Sequence, residues 1–91
     1  MHSENNQLFT ELLAEAANSL GVPVDNLPAE VDQDGASKIL GPSARTLAIW
    51  RSTGRYNLPY IKAGRLVRYR VKNLIEFKIR RMRQHTGDSA A

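Results

Sequence analysis

Apolar residues along the chain fall into blocks whose spacing changes from helical to alternating and back. From Gln7 to Leu20, the residues Leu8, Phe9, Leu12, Leu13, Ala16, Ala17 and Leu20 recur at helical steps and predict an amphipathic helix. Asn5 or Asn6 can cap its start, Gly21 can close it in the left-handed conformation, and Pro23 follows where a helix cannot continue. Val22 to Pro28, VPVDNLP, reads as an ordered, kinked linker. Asp32 then caps a short helix from about Gln33 to Leu40, with Ala36, Ile39 and Leu40 facing inward. Gly41 allows a sharp turn, Pro42 and Ser43 complete it, and Ser43 caps a second helix from about Ala44 to Thr53. That helix buries Leu47 and Trp50 and stops before Gly54.

The period then changes. Tyr60, Ile61 and Lys62 form a short strand, Ala63-Gly64 supplies a tight turn, and Arg65 to Tyr69 returns with Val67 and Tyr69 on one face. Leu66, Arg68 and Arg70 take the other face. From Val71 to about Gln84 the pattern is helical again, with Leu74, Ile75, Phe77 and Met82 for packing, and His85 onward reads as a frayed tail.

Two short helices joined by a Gly-containing turn make a helix-turn-helix, and a hairpin directly after one is a wing. The expected fold is therefore mainly α with a small β-hairpin: a winged helix-turn-helix with an added N-terminal helix. It divides into an acidic helix and linker (1–28), the winged domain (29–84) and a flexible tail (85–91). The N-terminal apolar stripe fits a lid on the core or a self-association surface.

Charge sharpens this picture. Residues 1–34 carry seven acidic residues and no Lys or Arg, giving −7, whereas residues 35–91 carry all 13 basic residues against Glu76 and Asp88, giving +11 and a net +4. The expected partner of the basic half is a polyanion. Its cations interleave with Tyr, Gly and β-branched residues through a hairpin, which favours nucleic acid over a membrane surface. An acidic protein bound by the basic face is the competing reading.

At about 100° per residue, the face of the second helix opposite Leu47 and Trp50 presents Arg45, Ala48, Ile49 and Ser52. Arg45 can donate two hydrogen bonds to guanine, Ser52 is a tolerant donor and acceptor, and Ala48 or Ile49 can pack on a thymine methyl. Ser43, Ala44 and Thr46 at the start of this helix and Arg51 and Arg55 at its end complete its candidate DNA contacts. Lys62 and Arg65 at the hairpin tip suit a minor groove or its flanking phosphates, with Arg68 and Arg70 behind them. The RRMR run, Arg80 to Arg83, fits either a DNA contact or the ordinary preference for cations late in a helix. RNA is disfavoured because Trp50, Tyr60 and Tyr69 are placed for core packing rather than as a stacking platform.

At 91 residues the chain is one small domain without room for a large enclosed active site. No paired carboxylates, activated nucleophile or Gly-rich phosphate cradle occurs, so no enzyme activity and no cofactor are expected. With no Cys and only His2 and His85, both near the ends, no metal site is expected either. No apolar run approaches the ~20 residues of a membrane span, and the start MHSENNQ lacks the regions of a secretory signal.

The run ASKILGPSARTLAIWRSTGR, followed by LPYIKAGRLVRYRVKNLIEF, resembles the excisionase-like winged-helix group of small DNA-binding proteins and, more distantly, the MerR-type DNA-binding domain. The resemblance covers about Val31 to Phe77. It rests on the Ala-x-x-Leu-Gly turn of Ala36 to Gly41, the Ser-x-x-Thr-Leu-x-x-Trp helix of Ser43 to Trp50, and Gly64-Arg65 leading into Arg68-Tyr69-Arg70. It implies a second helix in the major groove of double-stranded DNA and a wing on the backbone or minor groove. It also implies work as a transcription regulator or a recombination directionality factor of a mobile element, with the transcription machinery or a recombinase as partner, in bacterial or phage cytoplasm on the nucleoid. Pro42 departs from the usual Val or Ile, Tyr56-Asn57 lengthens the link to the wing, and the N-terminal helix lies outside the pattern.

Overall fold

A computed structural model describes the backbone of residues 2–90 and the side chains of residues 6–82. The N-terminal stripe lies on a helix, α1 (His2–Leu20). Its start differs from expectation: Asn6 is inside the helix, its carbonyl accepting from Thr10 Oγ1 at 2.9 Å, so it is no cap. The linker contains a 3-10 turn over Val24–Asn26.

The next two helices begin where their caps predict. α2 (Gln33–Leu40) opens on Asp32, whose Oδ1 accepts the Gly35 amide at 2.8 Å. α3 (Ala44–Thr53) opens on Ser43, whose Oγ accepts the Thr46 amide at 3.1 Å. Each cap satisfies an amide that the first helical turn leaves without an internal partner. Between them Gly41 turns the chain at φ +109, and Ser37 Oγ donates to the Pro42 carbonyl at 2.7 Å.

The sheet is larger than a hairpin. β1 (Glu30–Val31), β2 (Ile61–Ala63) and β3 (Leu66–Arg70) form an antiparallel sheet in the order β1-β3-β2. β1 is the strand that periodicity does not announce: Val31 pairs with Tyr69 and Glu30 with Arg70, and the Val71 amide donates to the Ala29 carbonyl at 2.9 Å. Val31 presses on the start of α2, where a Cβ added to Gly35 would lie 2.7 Å from the Val31 Cβ. Glycine is needed there for close approach, not for a turn. β2 begins one residue later than expected, at Ile61, so the tight turn is Gly64-Arg65 between the paired Ala63 and Leu66. Val67 and Tyr69 turn inward, and Leu66 lies 65% exposed on the opposite face.

β3 runs directly into the last helix, α4 (Val71–Ala90). The core draws on nearly every element: Leu12 and Ala16 from α1, Val31 from β1, Ala36 and Ile39 from α2, Leu47 from α3, Tyr69 from β3, and Leu74, Ile75 and Phe77 from α4. Lys78 Nζ ties α4 to α2 by donating to the Ile39 carbonyl at 3.0 Å, one of the carbonyls a helix end leaves open. Two core expectations need correction. Met82 is exposed, and Trp50 is only half-buried, its aromatic neighbours being Tyr56 and Phe77. Where a frayed tail is expected from His85, the backbone of α4 continues to Ala90, and the side chains beyond residue 82 lie outside the described residues.

α1 packs on α2 and α4 with its stripe against the shared core. Leu12, 5% exposed, is its deepest large side chain. Leu12→Ala is therefore expected to cost about 2–5 kcal/mol of stability, as for other buried leucines. Calorimetry checks this: an unchanged Tm would show that α1 is an appendage and not part of the core.

Candidate nucleic-acid interface

The rotation of α3 decides which of its side chains are free. Leu47 is fully buried, and the opposite side presents Arg45, Ile49 and Ser52 to solvent with Ala48 half-buried between them. Ile49 is 50% exposed. This is the face expected to carry base contacts, and among the described residues nothing covers it. At the start of the helix Ser43 is exposed and Ala44 and Thr46 are half-buried. The Ser43 hydroxyl also donates to Thr46 Oγ1 at 3.0 Å, so both serve the cap.

Several side chains in the set are already engaged. Ser52 Oγ donates to the Ile49 carbonyl at 3.0 Å, which leaves it an acceptor toward solvent. Arg51 turns away from the exposed face: its Nη1 donates to the Tyr69 hydroxyl at 2.7 Å, and its guanidinium stands 5.9 Å from the Tyr60 ring centre. A fully buried tyrosine needs a partner for its hydroxyl, and Arg51 supplies it. Arg51 thus straps α3 to β3 and positions the exposed face; it does not itself lie on that face.

On the hairpin, Lys62 and Arg65 are exposed, Arg65 occupying the turn after Gly64. Gly64 has φ +62 at the first central position, as a two-residue type II′ turn requires. Arg70 is exposed opposite Glu30, and Arg68 Nε lies 3.9 Å from Glu30 Oε1 with both side chains about two-fifths exposed. An ion pair this open contributes about 0–1 kcal/mol, so Arg68 is weakly held.

Part of the site has no counterpart in the local pattern. The link Tyr56-Asn57 is a 3-10 turn, Arg55–Asn57, in which Tyr56 and Asn57 take the left-handed conformation at φ +67 and +54. This brings the Tyr56 ring edge-on to Trp50 at 4.7 Å between centroids. Arg55 lies 5.1 Å from that ring and Arg81 of α4 lies 4.8 Å from it. Tyr60, expected in the core, is 42% exposed, so only Tyr69 of the three aromatics weighed against RNA is fully enclosed.

A cleft of about 330 Å³ separates α3 from the entry to β2, lined by Trp50, Arg51, Leu58 and Tyr60 among others, and no carboxylate, His, Lys, Ser or Thr lines it. Among the described residues no group of His, Cys, Asp or Glu is arranged to hold a metal ion, and no helix is long and apolar enough to cross a membrane. No family model, curated protein or solved structure matches the chain.

Tyr69→Phe removes only the hydroxyl that Arg51 engages, and is expected to cost about 1.5–3 kcal/mol, as for hydrogen bonds to charged groups. Urea denaturation measures it. An unchanged midpoint would mean that Arg51 does not strap α3 to the sheet.

Proposed function

We propose that the chain is a winged helix-turn-helix protein that binds double-stranded DNA sequence-specifically, with α3 in the major groove and the β2–β3 hairpin as a wing on the backbone or minor groove. The observation that carries this reading is the uncovered face of α3, where a guanidinium, an exposed Ile and small residues lie opposite a fully buried Leu47. An Ile left half in water beside Arg45 suits a thymine methyl beside a guanine better than it suits solvent. The resemblance of Ala36–Gly41, Ser43–Trp50 and Gly64–Arg70 to the excisionase-like and MerR-type domains supports the same reading.

In this reading Arg45 donates to guanine O6 and N7, Ala48 and Ile49 pack on thymine methyls, and Ser52 accepts from a base or water. Ser43, Ala44 and Thr46 bring the amide-rich start of α3 to a phosphate, which helix N-termini favour. Lys62 and Arg65 hold backbone or minor groove from the wing, Arg70 adds charge behind them, and Arg68 exchanges its weak pair with Glu30 for a phosphate. The protein acts without catalysis, cofactor or metal. Its role is that of a small transcription regulator or an excisionase-like directionality factor, on the bacterial or phage nucleoid, alongside the transcription machinery or a recombinase.

Anisotropy titrations on a duplex selected from random sequence and on an unrelated duplex test the division of labour. Arg45→Ala should weaken the selected duplex by about 1–3 kcal/mol and leave the unrelated one unchanged. The double change Lys62→Ala with Arg65→Ala should weaken both, with the slope of log K against log salt falling by about one for each phosphate no longer neutralised. If Arg45→Ala weakens both duplexes equally, Arg45 is a phosphate contact. A wild-type chain without salt-dependent duplex binding would replace this reading with that of a protein-binding module.

A further inference from the structure

The aromatic group beside α3 has an unusual surround of charge. Two guanidiniums lie over the Tyr56 ring, Arg55 at 5.1 Å and Arg81 at 4.8 Å from its centre, and Arg81 also lies 5.9 Å from the Phe77 ring. Arg80 and Arg81 line a depression of about 170 Å³ together with Tyr56, Asn57 and Phe77. No carboxylate lines it. Glu76, one turn before Arg80 on α4, is not ion-paired with it, and among the described residues the one ion pair is that of Arg68 with Glu30 on the sheet. Stacking on aromatic faces fixes the direction of a guanidinium while leaving its N–H donors unspent. Arg55 and Arg81 share the Tyr56 ring, Arg80 lines the same depression as Arg81, and among the described residues no carboxylate pairs with any of them, so their like charges repel; the left-handed backbone at Tyr56 adds strain that a bulky side chain rarely tolerates.

The place of this cluster follows from the turn of α3. From the inward Leu47, Trp50 is set off by about 60° one way and Arg51 by about 40° the other. Arg51 reaches Tyr69 and Tyr60 on the sheet side, and Trp50 reaches Tyr56 and Phe77. The Tyr56–Arg81 contact therefore flanks α3 on its Trp50 side, and Arg55 bridges from there to the cleft lined by Tyr60 and Tyr69. A major groove is about 12 Å wide, so a helix lying in it has a wall of phosphates on each flank.

We infer that Arg55 and Arg81, ordered on the Tyr56 and Phe77 rings, form with the exposed Arg80 beside them a phosphodiester clamp for the wall of the groove opposite the wing. This rests on the reading of α3 as the major-groove helix. The ligand is the backbone of the same duplex, one phosphate group matching the small size of the depression and its lining of guanidinium and amide donors. The wing and the clamp then hold the two strands, and α3 is fixed in depth between them.

Salt titrations of the full chain on the selected and unrelated duplexes test the clamp with Arg80→Gln, Arg81→Gln and Arg81→Lys. Arg80→Gln removes an exposed charge that stacks on no ring, so it reports on contact and not on folding; Trp50 fluorescence verifies that Arg81→Gln keeps the ring cluster. Each glutamine variant should lower the salt slope by about one on both duplexes, Arg81→Lys should keep the wild-type slope, and the ratio of affinities for the two duplexes should stay the same in all three. Wild-type slopes in both glutamine variants, with DNA binding and discrimination intact, would overturn the clamp and leave the role of α3 standing. A changed ratio of affinities would overturn it too, by making these residues base contacts. No salt-dependent binding by the wild-type chain would remove the underlying reading of α3 and the clamp with it.

Discussion

Burial of Leu47 fixes the rotation of α3, and most of the functional surface follows from that one contact. Once Leu47 is enclosed in the core shared with α2, α4 and β3, Arg45, Ile49 and Ser52 must face outward. Trp50 and Arg51 must leave on either flank. Arg51 then finds the buried Tyr69 hydroxyl, and Trp50 finds Tyr56 and Phe77. A helix that rolled by one residue would turn each of these groups by about 100°. It would orphan a buried hydroxyl and bury a cation, both costly. The exposed face is thus held by polar and apolar constraints that agree.

A domain of 91 residues has little core to spare, and α1 supplies part of it. Its Leu12 and Ala16 join the main cluster, and Leu8, Phe9, Leu13 and Leu20 pack around it. That role also accounts for the division of charge. The acidic residues of α1 ride on a helix docked against α2 and α4, where Glu11 and Glu15 face solvent, while the hairpin and the exposed face of α3 keep the cations. Negative charge among those cations would oppose any polyanion bound there; on a helix docked elsewhere it tempers the net charge without occupying that side.

How much of this is legible in the sequence depends on whether the signal is local. Asp32 and Ser43 sit at the caps they predict, because a side chain three residues before an open amide is a short-range instruction. The inward face of α3 and the alternation of Val67 and Tyr69 follow from periodicity. β1 escapes because two residues carry no period; its trace is Gly35, in the first turn of α2 without an evident reason until Val31 is seen pressing on it. Tyr56-Asn57 reads as a simple lengthening, since nothing in Tyr advertises a positive φ, and only packing against Trp50 and Phe77 explains it. The tie between Arg51 and Tyr69 spans 18 positions, too far for any local pattern, so Arg51 reads as a DNA contact when its visible work is to hold α3 to the sheet.

The most direct test of the account asks whether α3 lies in a major groove, where guanine N7 is exposed. Dimethyl sulfate methylates that atom, so the selected duplex can be probed with and without the full chain bound. The account predicts protection of guanine N7 within the footprint, loss of binding when those guanines are methylated beforehand, and loss of the protection in Arg45→Ala. Unprotected N7 atoms in a duplex that the protein nonetheless occupies would place α3 outside the groove and contradict the account.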